Sequence, residues 1–75
     1  MTTRGEYLVG ITFNPGGNEH VNEIKRRAAD LIDYLHAWDT GGNPEAGRLI
    51  ALAKTHIEDG AMWGVKAVTK PPYEG

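Results

Sequence analysis

Apolar residues recur at helical spacing over two long stretches of the chain. Val21, Ile24, Ala28, Leu31, Leu35 and Trp38 follow one another at intervals of 3, 4, 3, 4 and 3. This heptad-like seam predicts a helix over 19–38 that packs along a near-parallel or near-antiparallel partner. Ile32 widens the stripe, and Asn22, Lys25, Arg26, Asp30 and Asp33 occupy the opposite side. A second seam, Ala46, Ile50, Ala53, Ile57, Gly60, Gly64 and Ala67, predicts a helix over 44–69. Lys70-Pro71-Pro72 stops it, since proline cannot continue a helix. The second seam is small in side-chain volume. Gly60 and Gly64 therefore predict a close helix crossing or a close approach of a ligand. Beside it runs another apolar stripe of Leu49, Leu52, Met62, Trp63, Val65 and Val68. One partner helix cannot cover both stripes, which points to contact with other subunits.

Two Gly-Gly-Asn triplets, 16–18 and 41–43, mark where these helices begin. Asn is a favoured N-cap because its side-chain oxygen accepts an orphan backbone N–H. Pro44 suits the first helical position, and Glu19 and Glu45 suit the positive end of the helix dipole. Gly41 is expected to close the first helix. Upstream, Tyr7 to Phe13 reads as an extended, β-like arm, followed by a turn over 14–17. A lone strand is unstable, so the arm is expected to lie on the hairpin or to pair with a second copy. The reading is an all-α fold: an antiparallel two-helix hairpin with a short extended N-terminal arm. It divides into arm and turn 1–18, hairpin domain 19–71 and tail 72–75.

Composition narrows the setting. The chain has 75 residues, no cysteine and a formal net charge of −2. A chain this short holds one small domain and lacks disulfides or a thiolate metal site to hold it together. Self-association is the remaining remedy, so an oligomer is expected. Without cysteine or an apolar leader segment, a cytoplasmic location is the simplest expectation. No run approaches the ~20 apolar residues that cross a bilayer, so no membrane partner is expected. The near-neutral charge disfavours duplex nucleic acid as a partner.

No catalytic constellation emerges. His20, His36 and His56 show no paired metal-ligand spacing, serine is absent, and no threonine stands beside a plausible base. Neither a dinucleotide-binding glycine fingerprint nor a phosphate-cradling P-loop is present. A non-enzyme with no cofactor is expected. The cations are more informative. Lys25, Arg26 and Arg27 cluster on the first predicted helix, and Lys66 and Lys70 lie four apart at the end of the second. Tyr7, Phe13 and Trp63 supply aromatic faces, and cations beside aromatics suit a ligand that combines nucleobase and phosphate. Solvated helix faces and a small core account for the same residues equally well at this level.

Two segments carry a resemblance. Asn22-Glu23-Ile24-Lys25, with Ala28 and Leu31, is similar to the first helix of the phage anti-CBASS and anti-Thoeris hairpin-domain proteins. Residues 53–58 and 60–71, which end in Lys66-Ala67-Val68-Thr69-Lys70-Pro71, are similar to their second helix. The resemblance spans roughly residues 20–71. It implies a non-catalytic sponge that binds cyclic oligonucleotides or cyclic ADP-ribose-type messengers and withholds them from bacterial immune effectors. It also implies a hexamer of paired subunits, acting in the host bacterial cytoplasm if phage-encoded. Cyclic dinucleotide-type ligands would sit between subunits near the N-terminal segment and Lys25. Cyclic trinucleotides would use a separate site at Thr69-Lys70-Pro71, where Lys70 replaces an arginine and so lacks the bidentate fork. The expected ligand-binding set is Tyr7, Phe13, Asn14, Asn22, Lys25, Arg26, Lys66, Thr69, Lys70 and Pro71, with no metal ligand. The alternative is a structural or adaptor coiled-coil module without a small-molecule ligand. A small hydrolase is disfavoured by the missing nucleophiles and metal ligands.

Overall fold

The structure is a computed structural model and describes residues 2–73. Three helices follow in order: α1 (Arg4–Val9), α2 (Glu19–His36) and α3 (Pro44–Thr69), with no strand among the described residues. The two Asn triplets start α2 and α3 as expected. The Asn18 side chain accepts from the N–H groups of His20 and Val21, and the Asn43 side chain accepts from those of Glu45 and Ala46. Pro44 opens α3 and Lys70 ends it in an extended conformation. The hairpin is antiparallel. Asn18 at the start of α2 meets Val68 at the end of α3, Ile24 meets Gly64, and His36 meets Lys54.

The expected extended arm is instead α1, started and stopped by local signals and decided by its docking on α2. Thr3 accepts a hydrogen bond from the Glu6 N–H while the Glu6 carboxylate accepts from the Thr3 N–H, a complete capping box. Gly10 then closes the helix at φ 63°, with the Ile11 N–H returning to the Glu6 carbonyl. The apolar character of residues 7–13 hid a Thr-x-x-Glu start and a glycine stop. Six residues do not hold a helix unaided, so docking supplies the rest. Gly5 is buried against Ala29 of α2, and its N–H donates to the Asp33 carboxylate at 2.7 Å. A Cβ at Gly5 would stand 2.1 Å from the Ala29 carbonyl oxygen, so only glycine permits this crossing.

Docking of α1 also rotates the buried face of α2. The core stripe is Val21, Lys25, Ala29 and Ile32, with Ala29 and Ile32 fully buried. The expected seam through Leu31 and Trp38 does not form it: both are about half exposed. A helix clasped between two neighbours buries the positions between their contact lines, and a seam for a single partner misplaces them. α2 also ends at His36, closed by Ala37 in the right-handed region, so Gly41 lies in the following loop and does not close the helix. Of the two helix glycines, Gly64 lies against Ile24 of α2, whose Cγ2 would be 3.4 Å from an added Cβ. Gly60 faces open space and makes no close crossing. The whole measures 52 × 31 × 12 Å, a slab one helix layer thick. Apolar side chains remain exposed on α3, including Leu49, Leu52, Met62 and Trp63. No helix among the described residues is long and apolar enough to cross a membrane.

Gly5→Ala is expected to lower stability by about 1–3 kcal/mol, the usual penalty for overpacking a tight contact. Gly47→Ala, in open space within α3, is expected to raise stability by up to ~1 kcal/mol. Urea midpoints of the two variants against the parent check both signs.

Candidate functional site

The loop between α1 and α2 is built around Asn14. Its carbonyl accepts from the Gly17 N–H at 3.0 Å, and its side-chain oxygen accepts from the Asn18 N–H at 3.2 Å. Its amide nitrogen donates to the Asn18 carbonyl and to the Asn22 side-chain oxygen, at 2.8 and 2.9 Å. Asn18 in turn donates to the Val68 carbonyl at 3.4 Å, which ties the loop to the last turn of α3. One short turn thus joins the start of α2 to the end of α3.

Lys25 fixes the other side of this loop. It is 7% exposed, and its ammonium donates to the carbonyl oxygens of Gly10, at 2.9 Å, and of Phe13. An ammonium has three donors, so one N–H remains after these two bonds. The Phe13 ring lies 5.4 Å from the Lys25 nitrogen, within cation–π range, yet is 71% exposed. The tightly bonded loop thus holds a large aromatic ring toward solvent.

Two open grooves meet at Phe13, Lys25 and Val65. The first, about 490 Å³, also carries Asn14, Asn18, Val68, Thr69 and Lys70. The second, about 560 Å³, also carries Leu8, Val9, Thr55, Glu58, Asp59 and Met62. Both lie in the size range of small-molecule sites. The first holds lysines and amides without a carboxylate, so it suits an anion. In that groove the Thr69 hydroxyl donates to the Val65 carbonyl at 2.7 Å and keeps its lone pairs for an incoming donor.

Phe13, Asn14, Lys25, Thr69 and Lys70 line one groove, where the resemblance implied two separate sites, one near the N-terminal segment and Lys25 and one at Thr69-Lys70-Pro71. Asn22 reaches its rim through Asn14. The others stand apart. Tyr7 is exposed on α1 and lines neither groove. Arg26 bridges Glu6 and Asp30 at 2.7 and 2.8 Å, so it serves α1 docking. Lys66 sits 5.1 Å from the Trp63 ring, and Pro71 lies beyond the helix end; neither lines a groove. Arg27 pairs with Glu23, so the cationic run of α2 is occupied by structural partners. The sequence reading missed Asn18, Glu58 and Asp59 as lining residues. The signal for the last two was the stripe 55, 58, 59 and 62, which falls on one helix face.

Electrostatics reinforces the docking of α1. The Arg26 guanidinium hydrogen-bonded to Glu6, with help from the Thr3 N–H, holds the Glu6 carboxyl below the ordinary carboxylate range. The same contact raises Arg26. Farther along, Arg48 holds Glu45 below its ordinary value in the first turns of α3.

These features define a small all-helical hairpin protein whose loop and helix ends form paired grooves about an aromatic ring and a buried lysine. A family model, the Acb2/Tad1 hairpin domain, matches residues 6–69, and the chain belongs to this family of anti-CBASS and anti-Thoeris sponges. The match includes most of α1 and the loop, as well as the hairpin. Comparison with curated proteins found no match, and comparison with solved structures found none.

Lys25→Met is expected to cost roughly 1.5–3 kcal/mol, the worth of a hydrogen bond to a charged group. Faster amide exchange at Gly10 to Asn14, with α3 unchanged, locates the loss. A second expectation concerns pH. Because the folded state lowers the Glu6 value, its stabilisation is complete above the ordinary carboxylate value of about 4.3 and fades as pH falls through the lower folded value. The stability difference between the parent and Glu6→Gln should therefore be largest near neutrality and shrink below pH ~4. Urea titrations across that range measure it.

Proposed function

We propose that this chain is a non-catalytic sponge. It binds cyclic oligonucleotide or cyclic ADP-ribose-type messengers and so blocks CBASS or Thoeris signalling in the cytoplasm of a bacterial host. The observation that carries this reading is the convergence of Phe13, Asn14, Lys25, Thr69 and Lys70 on one groove in a member of this family. A cyclic nucleotide offers phosphodiester charges and flat bases. Lys70, the remaining Lys25 N–H and the Asn14 amide suit the former, and the exposed Phe13 ring suits the latter. Local charge governs such binding, so an overall charge of −2 is no obstacle.

The working form is a homo-oligomer, a hexamer of paired subunits. A slab 12 Å thick leaves Leu49, Leu52, Met62 and Trp63 exposed on α3, apolar side chains that a second copy would cover. Residues exposed on one subunit, Tyr7 and Lys66 among them, then complete grooves on another.

Calorimetry against a panel of cyclic dinucleotides, cyclic trinucleotides and cyclic ADP-ribose isomers tests the reading. Nanomolar to micromolar binding, with the ligand recovered intact after denaturation, is expected. Binding to none of them contradicts it. Lys70→Ala should weaken the responding ligand by roughly tenfold or more, the scale of one charge-assisted hydrogen bond.

A further inference from the structure

The second groove differs from the first in its charge. Thr55, Glu58, Asp59 and Met62 occupy one face of α3 along it, opposite Leu8 and Val9 of α1. Glu58 and Asp59 have no ion-pair partner among the described residues, which is also true of Glu19, Asp33 and Asp39, but it is Glu58 and Asp59 that line this groove. Among the described residues the only cation on that groove is Lys25, and two of its three donors are already bonded to loop carbonyls. Two carboxylates beside one largely occupied ammonium repel phosphate. They attract a neutral group that carries N–H donors.

The groove is otherwise apolar, and the exposed Phe13 ring stands between it and the anion-suited groove. A base stacked on Phe13 would turn its hydrogen-bonding edge toward α3 while its phosphate stayed beside Lys70. Bases are read in this way, by stacking on an aromatic and by hydrogen bonds to the Watson–Crick edge. A carboxylate accepts only. Guanine presents adjacent N1–H and N2–H donors that fit its two oxygens together. Adenine places its N1 lone pair against the carboxylate, and uracil sets one donor between two acceptors.

We infer that Glu58 and Asp59 make this groove a guanine-selective base subsite, so that the protein prefers guanine-bearing messengers over adenine-only ones. The inference rests on the sponge reading and names the messenger class it favours. Thr55, whose hydroxyl donates to the Ala51 carbonyl, presents only lone pairs to the groove and so adds another acceptor for an N–H donor.

Calorimetry with cyclic di-GMP and cyclic di-AMP, on the full-length parent and on Glu58→Gln and Asp59→Asn, tests it. The parent should bind cyclic di-GMP roughly tenfold or more tightly than cyclic di-AMP, the scale of one bidentate base contact. At least one variant should reduce that ratio severalfold, through weaker binding of cyclic di-GMP with affinity for cyclic di-AMP held or raised, since an amide can donate to the adenine N1. Equal binding of both ligands by the parent, or a ratio unchanged in both variants, overturns the inference and leaves the sponge reading standing. Binding of neither ligand, with binding elsewhere in the wider panel, overturns the guanine preference alone; binding of nothing in that panel overturns both. Light scattering on the same samples covers the other use of free carboxylates, pairing with cations of a second copy. A variant whose assembly mass falls with no change in ligand ratio assigns these residues to subunit contact and overturns the inference.

Discussion

A lysine ammonium buried beneath a loop organises this molecule. Lys25 stands on the core face of α2 between Val21 and Ala29, where an aliphatic residue is the ordinary choice. Its charge is tolerable there because the carbonyls of Gly10 and Phe13 turn inward to receive it. Those carbonyls belong to the segment that leaves α1, so one side chain fixes the end of α1, the path of the loop and the stance of the Phe13 ring. Both grooves border on it. The Gly5 approach to Ala29 and the Arg26 bridge to Glu6 hold the other end of α1 in the register that this bond requires.

From that constraint follows an uneven distribution of charge. The arginines of α2 are taken up by carboxylates, Arg26 by Glu6 of α1 and by Asp30, and Arg27 by Glu23 within α2. What is left near the grooves is Lys70 at the end of α3, one donor of Lys25 and the amides of the Asn14 turn. On the far side of Phe13 stand the carboxylates of Glu58 and Asp59. An acidic chain of 75 residues thus carries one groove that suits an anion beside one that suits a donor-bearing, uncharged group. A nucleotide has both kinds of surface.

The long helices were legible because their signals are local and repeated: Asn caps, Pro44, and the Pro71-Pro72 stop. Phe13, Asn14, Lys25, Thr69 and Lys70 were legible as candidates through family resemblance, not through periodicity, but as two separate sites; that they share one groove was not legible. What escaped was tertiary. The Thr3–Glu6 capping box was visible in principle, but the apolar run after it matched a strand equally well, and only the docking of Gly5 on Ala29 decides for helix. The same docking moved the buried face of α2 from Leu31 and Trp38 to Ala29 and Ile32. Lys25 and Arg26 look equivalent in the sequence. Three dimensions separate them, one under the loop and lining both grooves, the other bound to α1.

The central claim is that ligand engages the grooves around Phe13 and Lys25. Titrating the isotope-labelled protein with a cyclic dinucleotide and following backbone amide shifts by NMR tests this directly. The account predicts the largest shifts at Phe13, Asn14, Lys25, Val65, Thr69 and Lys70, with residues 39–43 at the opposite end of the hairpin unmoved. Shifts confined to that opposite end would contradict it.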